Sequence, residues 1–301
     1  MRKGERGLFF AVLLVLAAAS VSLVVQRVRG EDAPRIYRVS VLLDGTDGDS
    51  WKNFRAGLNQ AALERNVDLR FLTRYDDSAG QSAALRREWE GEAEGVILVP
   101  ADAQALGETL REAPAGLAVC VVGPALPAGR VDSYVSPDYD AMGRRLADAA
   151  AGIGEKCTLY LSDRPSPAAR LLAAGLEAGL REKGIPLLQE TVGEDGITQV
   201  PGEGALAAVE SGVAEALCAV PAASGRVCGA GSSGVLLQAL EGGAAAALVV
   251  QSDFDAGYLS LARVVARLSQ EKVEDTVLEC YTATGENMFH YPMSDILFST
   301  Y

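Results

Sequence analysis

Val249-Val250-Gln251-Ser252-Asp253-Phe254-Asp255-Ala256-Gly257-Tyr258-Leu259-Ser260-Leu261 decides how this chain is read. Two β-branched apolar residues end a buried strand, a single amide stands at its exit, and a turn then leads into an amphipathic helix. A buried amide needs hydrogen-bond partners. Gln251 therefore reads as a place where the chain passes from one lobe to another and where a ligand would be clamped.

Working outward, the same strand-turn-helix unit recurs. Strands are expected at 37–43, 68–73, 95–100 and 117–122, with helices at 51–65, 81–90 and 103–112 between them. After a break, helices are expected at 140–151, 167–183 and 234–241, with a short one at 205–210. The accompanying strands fall at 158–161, 187–191, 216–220, 226–229 and 246–251. Strands joined by helices pair in parallel through right-handed crossovers. The expected fold is α/β, two Rossmann-like, doubly wound lobes joined by a three-segment hinge. One lobe takes 36–137 plus 252–275, the other 138–251 plus 276–301. In open parallel sheets ligands sit beyond the carboxyl ends of the strands, so two such lobes imply a cleft.

Composition narrows the function. The 301 residues are 49% hydrophobic and 22% charged, ordinary for a globular chain, and only 6% are aromatic. A net charge of −13 opposes binding to nucleic acid. Arg2, Lys3 and Arg6 precede an uncharged run over residues 7–25, long enough to span a bilayer as a helix. Residues 1–30 are therefore expected to be a signal anchor, with the remainder extracytoplasmic at the cell membrane, or secreted if the chain is cut near Ala18–Ser22. The five cysteines, an odd number without metal-type spacing, read as small buried residues, with Cys218 and Cys228 the one pair close in sequence.

Catalysis has little support. The sole histidine, His290, has no nucleophile beside it in sequence, and no cofactor, metal site or enzyme activity is expected. Gly229-Ala230-Gly231-Ser232-Ser233-Gly234 fits the dinucleotide pattern after a strand, but in a chain with 32 glycines it reads as a tight turn.

From Ile36 to about Met288 the order and spacing resemble the type 1 periplasmic substrate-binding proteins, the family of ribose- and galactose-binding proteins, here in a membrane-anchored, Gram-positive-type form. The stretch Val39 to Gly57 resembles the family's opening, with Trp51 six residues before a helix glycine, where the family stacks an aromatic ring on sugar. Gly95-Val96-Ile97-Leu98-Val99-Pro100-Ala101-Asp102 is similar to its third strand and Pro-x-Asp turn. Tyr134-Val135-Ser136-Pro137-Asp138 resembles the first crossover, Ser166-Pro167-Ala168-Ala169-Arg170 a ligand-binding arginine at a helix start, and Gln251 the polar residue before the last crossover. The resemblance implies a ligand site containing Asp47, Trp51, Asp102, Asp138, Arg170 and Gln251. It also implies capture of a small sugar-like ligand for an ABC transporter permease or a membrane sensor kinase. Related repressors share the lobes but begin with a helix-turn-helix, where this chain begins with an apolar segment.

Each residue also has a plainer reading. Trp51 fits a core position with Phe54 and Leu58, Arg170 an ordinary surface arginine, and Asp47 a solvated turn. Asp102 and Asp138 fit helix caps, as do Asp253 and Asp255. Three usual sugar contacts are expected to be missing. Gly123-Pro124 replaces Asp-Arg, 220–226 replaces an Asn-Asp turn with its helix, and Gly229-Ala230-Gly231-Ser232 lacks the acid of Gly-Phe-Asp-Gly. A degenerate fold serving as a sensor-input or protein-interaction module is the alternative; an exported hydrolase is a weaker one.

Overall fold

A computed structural model of the chain describes residues 35–44, 51–72, 78–193 and 195–298. One sheet contains β1 (Tyr37–Leu42), β2 (Val67–Leu72), β3 (Gly95–Leu98), β4 (Ala118–Val122), β5 (Ser133–Pro137) and β11 (Thr276–Leu278), in the order β11-β5-β4-β3-β1-β2. The other contains β6 (Cys157–Ser162), β7 (Leu187–Val192), β8 (Ala205–Ala208), β9 (Val227–Ala230), β10 (Ala245–Gln251) and β12 (Cys280–Ala283), in the order β12-β10-β9-β8-β6-β7. The alternation in the sequence thus yields the expected pair of α/β lobes. Central strands such as β3 and β8 are buried at every position, because elements pack on both faces of each sheet. β12 pairs antiparallel with β10 and so departs from the parallel rule.

The helices are α1 (Lys52–Arg65), α2 (Ser78–Glu90), α3 (Ala103–Leu110), α4 (Tyr139–Ala151), α5 (Pro167–Glu182), α6 (Ser211–Cys218), α7 (Gly234–Glu241), α8 (Asp253–Leu268) and α9 (Met293–Leu297). Two pairs touch backbone to backbone. In the first lobe α1 crosses α8 so closely that a Cβ on Gly57 would lie 2.0 Å from the Phe254 carbonyl oxygen, and one on Gly257 2.0 Å from that of Phe54. The second lobe repeats the device where α4 crosses α5. There a Cβ on Gly143 would fall 2.3 Å from the Leu172 carbonyl oxygen, and one on Gly175 2.6 Å from that of Asp140. Glycine is needed at these positions for approach.

Two segments differ from expectation. Residues 205–210, expected as a short helix, form β8, and 216–220, expected as a strand, contains the end of α6. Alanine-rich runs carry little β-branched signal, so helix and buried strand look alike in them. Burial decides the matter. Ala205 to Val209 is an uninterrupted buried run between β6 and β9, whereas Val213, Ala214 and Leu217 face inward at helical spacing. The third crossing also moves. Thr276–Leu278, expected in the second lobe, pairs with β5 of the first sheet, and the Tyr134 N–H donates to Asp275 Oδ1 at 2.8 Å. The chain changes lobes at Glu279, between β11 and β12.

Candidate functional site

Three strands hand the chain across immediately after their carboxyl ends: β5 at Asp138, β10 at Ser252 and β11 at Glu279. The helix after β5 packs on the second sheet, and α8 packs on the first. Because all three crossings lie at carboxyl ends, the carboxyl edges of both sheets meet at the hinge. That is the edge where open α/β sheets bind ligands.

On the first sheet this edge is fixed by Gln81, which sequence reading took only as a helix start. It is fully buried. Its Nε2 donates to the Leu43 and Val99 carbonyls, each at 2.8 Å, and its Oε1 accepts from the Ala101 N–H at 2.9 Å. One side chain therefore ties the exits of β1 and β3 to the turn before α3. The signal available was a polar residue in register with the buried Ala84, Leu85 and Glu88 of α2.

Trp51 stands at the first position before α1, half-buried, edge-on to Phe54 at 5.4 Å. It packs on the core through Phe54. Asp47 lies outside the described residues. Asp102 is the N-cap of α3 and accepts from the Gln104 and Ala105 N–H groups at 2.9 and 3.0 Å. Asp138 caps α4 through the Ala141 N–H at 3.0 Å. For both aspartates the plainer reading describes the geometry. Asp102→Ala is expected to cost about 1 kcal/mol of stability, read by urea unfolding, and to leave ligand affinity unchanged. Arg170 is exposed on α5, its Nη1 donating to the Pro165 carbonyl at 2.7 Å.

Gln251 ends β10 as expected. Its Oε1 is buried without a hydrogen-bond partner among the described residues, and its side chain bonds the Asp253 carboxylate. Asp253 and Asp255 were expected as caps, but Ser252 caps α8 instead, accepting from the Asp255 N–H at 3.1 Å. Asp253, thus released, accepts from Ser232 Oγ at 2.9 Å, while Asp255 is exposed. Burial pushes the Asp253 carboxyl above the usual range, and the bonds from Ser232 and Gln251 offset only part of that. A raised acid contributes stability that is full below the unfolded value of about 3.9 and is lost as pH rises through the folded value. Asp253→Asn should therefore melt higher than wild type near neutrality, the difference closing as the pH falls to roughly 3. Superimposable melting curves near neutrality would contradict this.

β8 lies earlier than the strand expected at 216–220, so the turn that follows it is Val209-Glu210, not 220–226. Glu210 was missed. Its Oε2 accepts from the Ser162 N–H at 2.9 Å and its Oε1 from Ser162 Oγ at 3.0 Å, tying the exits of β6 and β8. The second sheet's carboxyl edge thus runs Gln251, Ser232, Glu210, Ser162 across four adjacent strands. The glycine-rich stretch between them is a tight turn. Gly231 has φ +118°, and a Cβ there would meet Ser211 Oγ at 2.2 Å.

All five cysteines are free thiols, and burial pushes Cys120, Cys157 and Cys228 up to about 12. Among the described residues no group of acidic, histidine or cysteine side chains could hold a metal ion. The expected anchor, residues 1–30, lies outside the described residues, and among those no helix is long and apolar enough to cross a membrane.

Solved structures share the fold at low identity. A carbohydrate transporter solute-binding protein from Agrobacterium radiobacter, in complex with D-arabinose, aligns with TM-score 0.79 at 20% identity over 88% of this chain and 100% of its own. A glucose-galactose binding protein from Geobacillus stearothermophilus aligns with TM-score 0.69 at 20% identity over 84% and 99%. A putative LacI transcriptional regulator from Bacteroides fragilis aligns with TM-score 0.72 at 15% identity over 85% and 100%. No curated protein matches the sequence. The sequence model of the periplasmic binding protein domain matches residues 39–272, covering both lobes and two of the three crossings, and the chain belongs to that family.

Proposed function

We propose that this chain is an extracytoplasmic solute-binding protein that captures a sugar or sugar-like molecule between its lobes. The observation that carries the reading is the meeting of two carboxyl edges at a three-segment hinge, one of them presenting Gln251, Ser232, Glu210 and Ser162 in a row. Hydroxyl-rich ligands suit such a row, because each carboxylate accepts more than one hydroxyl hydrogen bond and charge-assisted bonds are the stronger class. Structural relatives at low identity are described with D-arabinose, D-fucose and tagatopyranose bound, which supports a sugar as the first ligand class to try.

Within this reading the protein is a carrier and not an enzyme. Residues 1–30 anchor it outside the cytoplasm, and the loaded form meets an ABC transporter permease or a membrane sensor kinase. Closing the lobes would convert ligand capture into a change of shape that either partner can read. Calorimetric titration of the full chain against pentoses, hexoses and polyols tests the reading. Saturable binding by at least one of them is expected; the absence of heat across the panel would count against it and favour a sensor-input module that has lost its ligand.

A further inference from the structure

We propose that the cleft favours a small polyol bearing an ammonium group and turns away sugar acids, with Glu210 and Asp253 setting the choice. This rests on the solute-binding reading above. Helix N-termini arriving at a ligand edge ordinarily favour an anion, through unpaired N–H groups and the helix dipole. Here five are occupied by the chain itself. Asp102, Asp138, Ser166, Ser233 and Ser252 accept from first-turn N–H groups of α3, α4, α5, α7 and α8.

The start of α6 is built differently. Glu210 occupies the capping position but makes no capping bond, its carboxylate turning to Ser162 instead. At the start of α8, Asp253 is likewise spared capping by Ser252 and faces Ser232. Each Glu210 oxygen accepts one bond within the chain, whereas an ionised carboxylate offers about four acceptor sites. β8 and β10 flank β9, so at about 4.8 Å per strand the two acids stand roughly 10 Å apart, bracketing a ligand of monosaccharide size.

Neither Arg164 nor Arg170 forms an ion pair with these acids among the described residues. Arg170 is committed to the Pro165 carbonyl, and the Arg164 side chain is 93% exposed, 3.9 Å from Asp163. Burial raises the Asp253 carboxyl by disfavouring its charged form, so a ligand cation that restores the charge has most to gain there. A ligand ammonium would gain a charge-assisted hydrogen bond there. A ligand carboxylate would meet two negative groups in a poorly solvated place, an arrangement that disfavours binding.

The test is calorimetric titration of the full chain near neutral pH with three matched series: glucose, glucosamine and glucuronate; galactose, galactosamine and galacturonate; mannose, mannosamine and mannuronate. In a series that binds, the amino member should bind at least about tenfold tighter than the neutral one and the acid at least about tenfold weaker. Glu210→Gln combined with Asp253→Asn should erase the preference, the three members of a series then binding alike even where all bind more weakly than to wild type. If that variant does not fold, the wild-type salt dependence decides: added salt should weaken the amino member and spare the neutral one. An acid that binds as tightly as its neutral parent, or an amino member that binds no tighter, overturns the inference and leaves the solute-binding reading standing. Silence from all three series overturns the inference and leaves the solute-binding reading to the wider panel of pentoses and polyols.

Discussion

Gly57→Val is expected to abolish folding or to cost more than about 3 kcal/mol, a large fraction of the 5–15 kcal/mol by which domains are stable. Ordinary overpacking costs roughly 1–3 kcal/mol, because neighbouring side chains yield. At Gly57 the neighbour is backbone: the new Cβ would lie 2.0 Å from the Phe254 carbonyl oxygen and 2.8 Å from the Tyr258 nitrogen. The helices must separate, and the contact of Gly257 with Phe54 would be lost with it. Gly143→Val should act in the same way through α5 in the second lobe. Gly212 supplies the contrast. Nothing lies within 4 Å of a Cβ built there, so Gly212→Ala should be neutral or stabilising by about 0.5 kcal/mol. Urea unfolding of the three variants measures the difference, and a Gly57→Val protein as stable as wild type would refute the close crossing.

Gln81→Leu is expected to carry the second largest cost. The substitution keeps an apolar stem of similar size but strands two carbonyls, Leu43 and Val99, and one N–H, Ala101, in a region where Gln81 is fully buried. An orphaned buried polar group costs about 1–3 kcal/mol, so a total of roughly 3 kcal/mol or more is expected. Those three groups belong to the strand exits that face the cleft. Ligand affinity should therefore fall along with stability, unlike the Asp102→Ala case, where only a cap is lost. Gln81→Glu, which near neutral pH would set a buried carboxylate oxygen against the Leu43 and Val99 carbonyls, should cost at least as much as Gln81→Leu. Unchanged unfolding for Gln81→Leu would mean that the amide does not join the two strands.

How much of this could be read in the sequence follows from which forces act locally. The alternation of Val- and Leu-rich runs with helical periodicity specified two doubly wound lobes, and Gln251 was legible because a single amide after Val249-Val250 is conspicuous. Residues 205–218 were misread because Ala and Gly satisfy either period, and only the flanking strands β6 and β9 settle which segment is buried. That error also hid Glu210, since its turn was sought ten residues too late. Gln81 and Ser162 gave weaker signals for another reason. Their partners are 18 to 48 residues away, so a polar residue on the buried side of a helix points to Gln81 but nothing local names what it bonds. The glycines of α1 and α8 were seen as helix residues, yet the close crossing that requires them exists only once both helices lie on one sheet.

Asp102, Asp138 and Ser252 carry a related lesson. A cap and a ligand contact use the same residue types at the same strand exits, so spacing alone does not separate them. The side-chain bonds do. Asp102 and Asp138 point to their own helices, whereas Asp253, beside the capping Ser252, points to its neighbour across β9 and β10. Among the described residues, polar groups that cap no helix gather on the second sheet's edge, around Gln251.

The most direct measurement compares wild type with Gln251→Leu by calorimetric titration, using the sugar that binds wild type most tightly. Gln251→Leu removes an Oε1 that has no partner among the described residues and one bond to the Asp253 carboxylate, so the melting temperature should drop modestly while the fold stays intact. Affinity should fall at least about tenfold, or about 1.4 kcal/mol. Unchanged affinity in a folded variant would show that the crossing at Gln251 is a hinge alone and that the ligand, if bound, is held elsewhere.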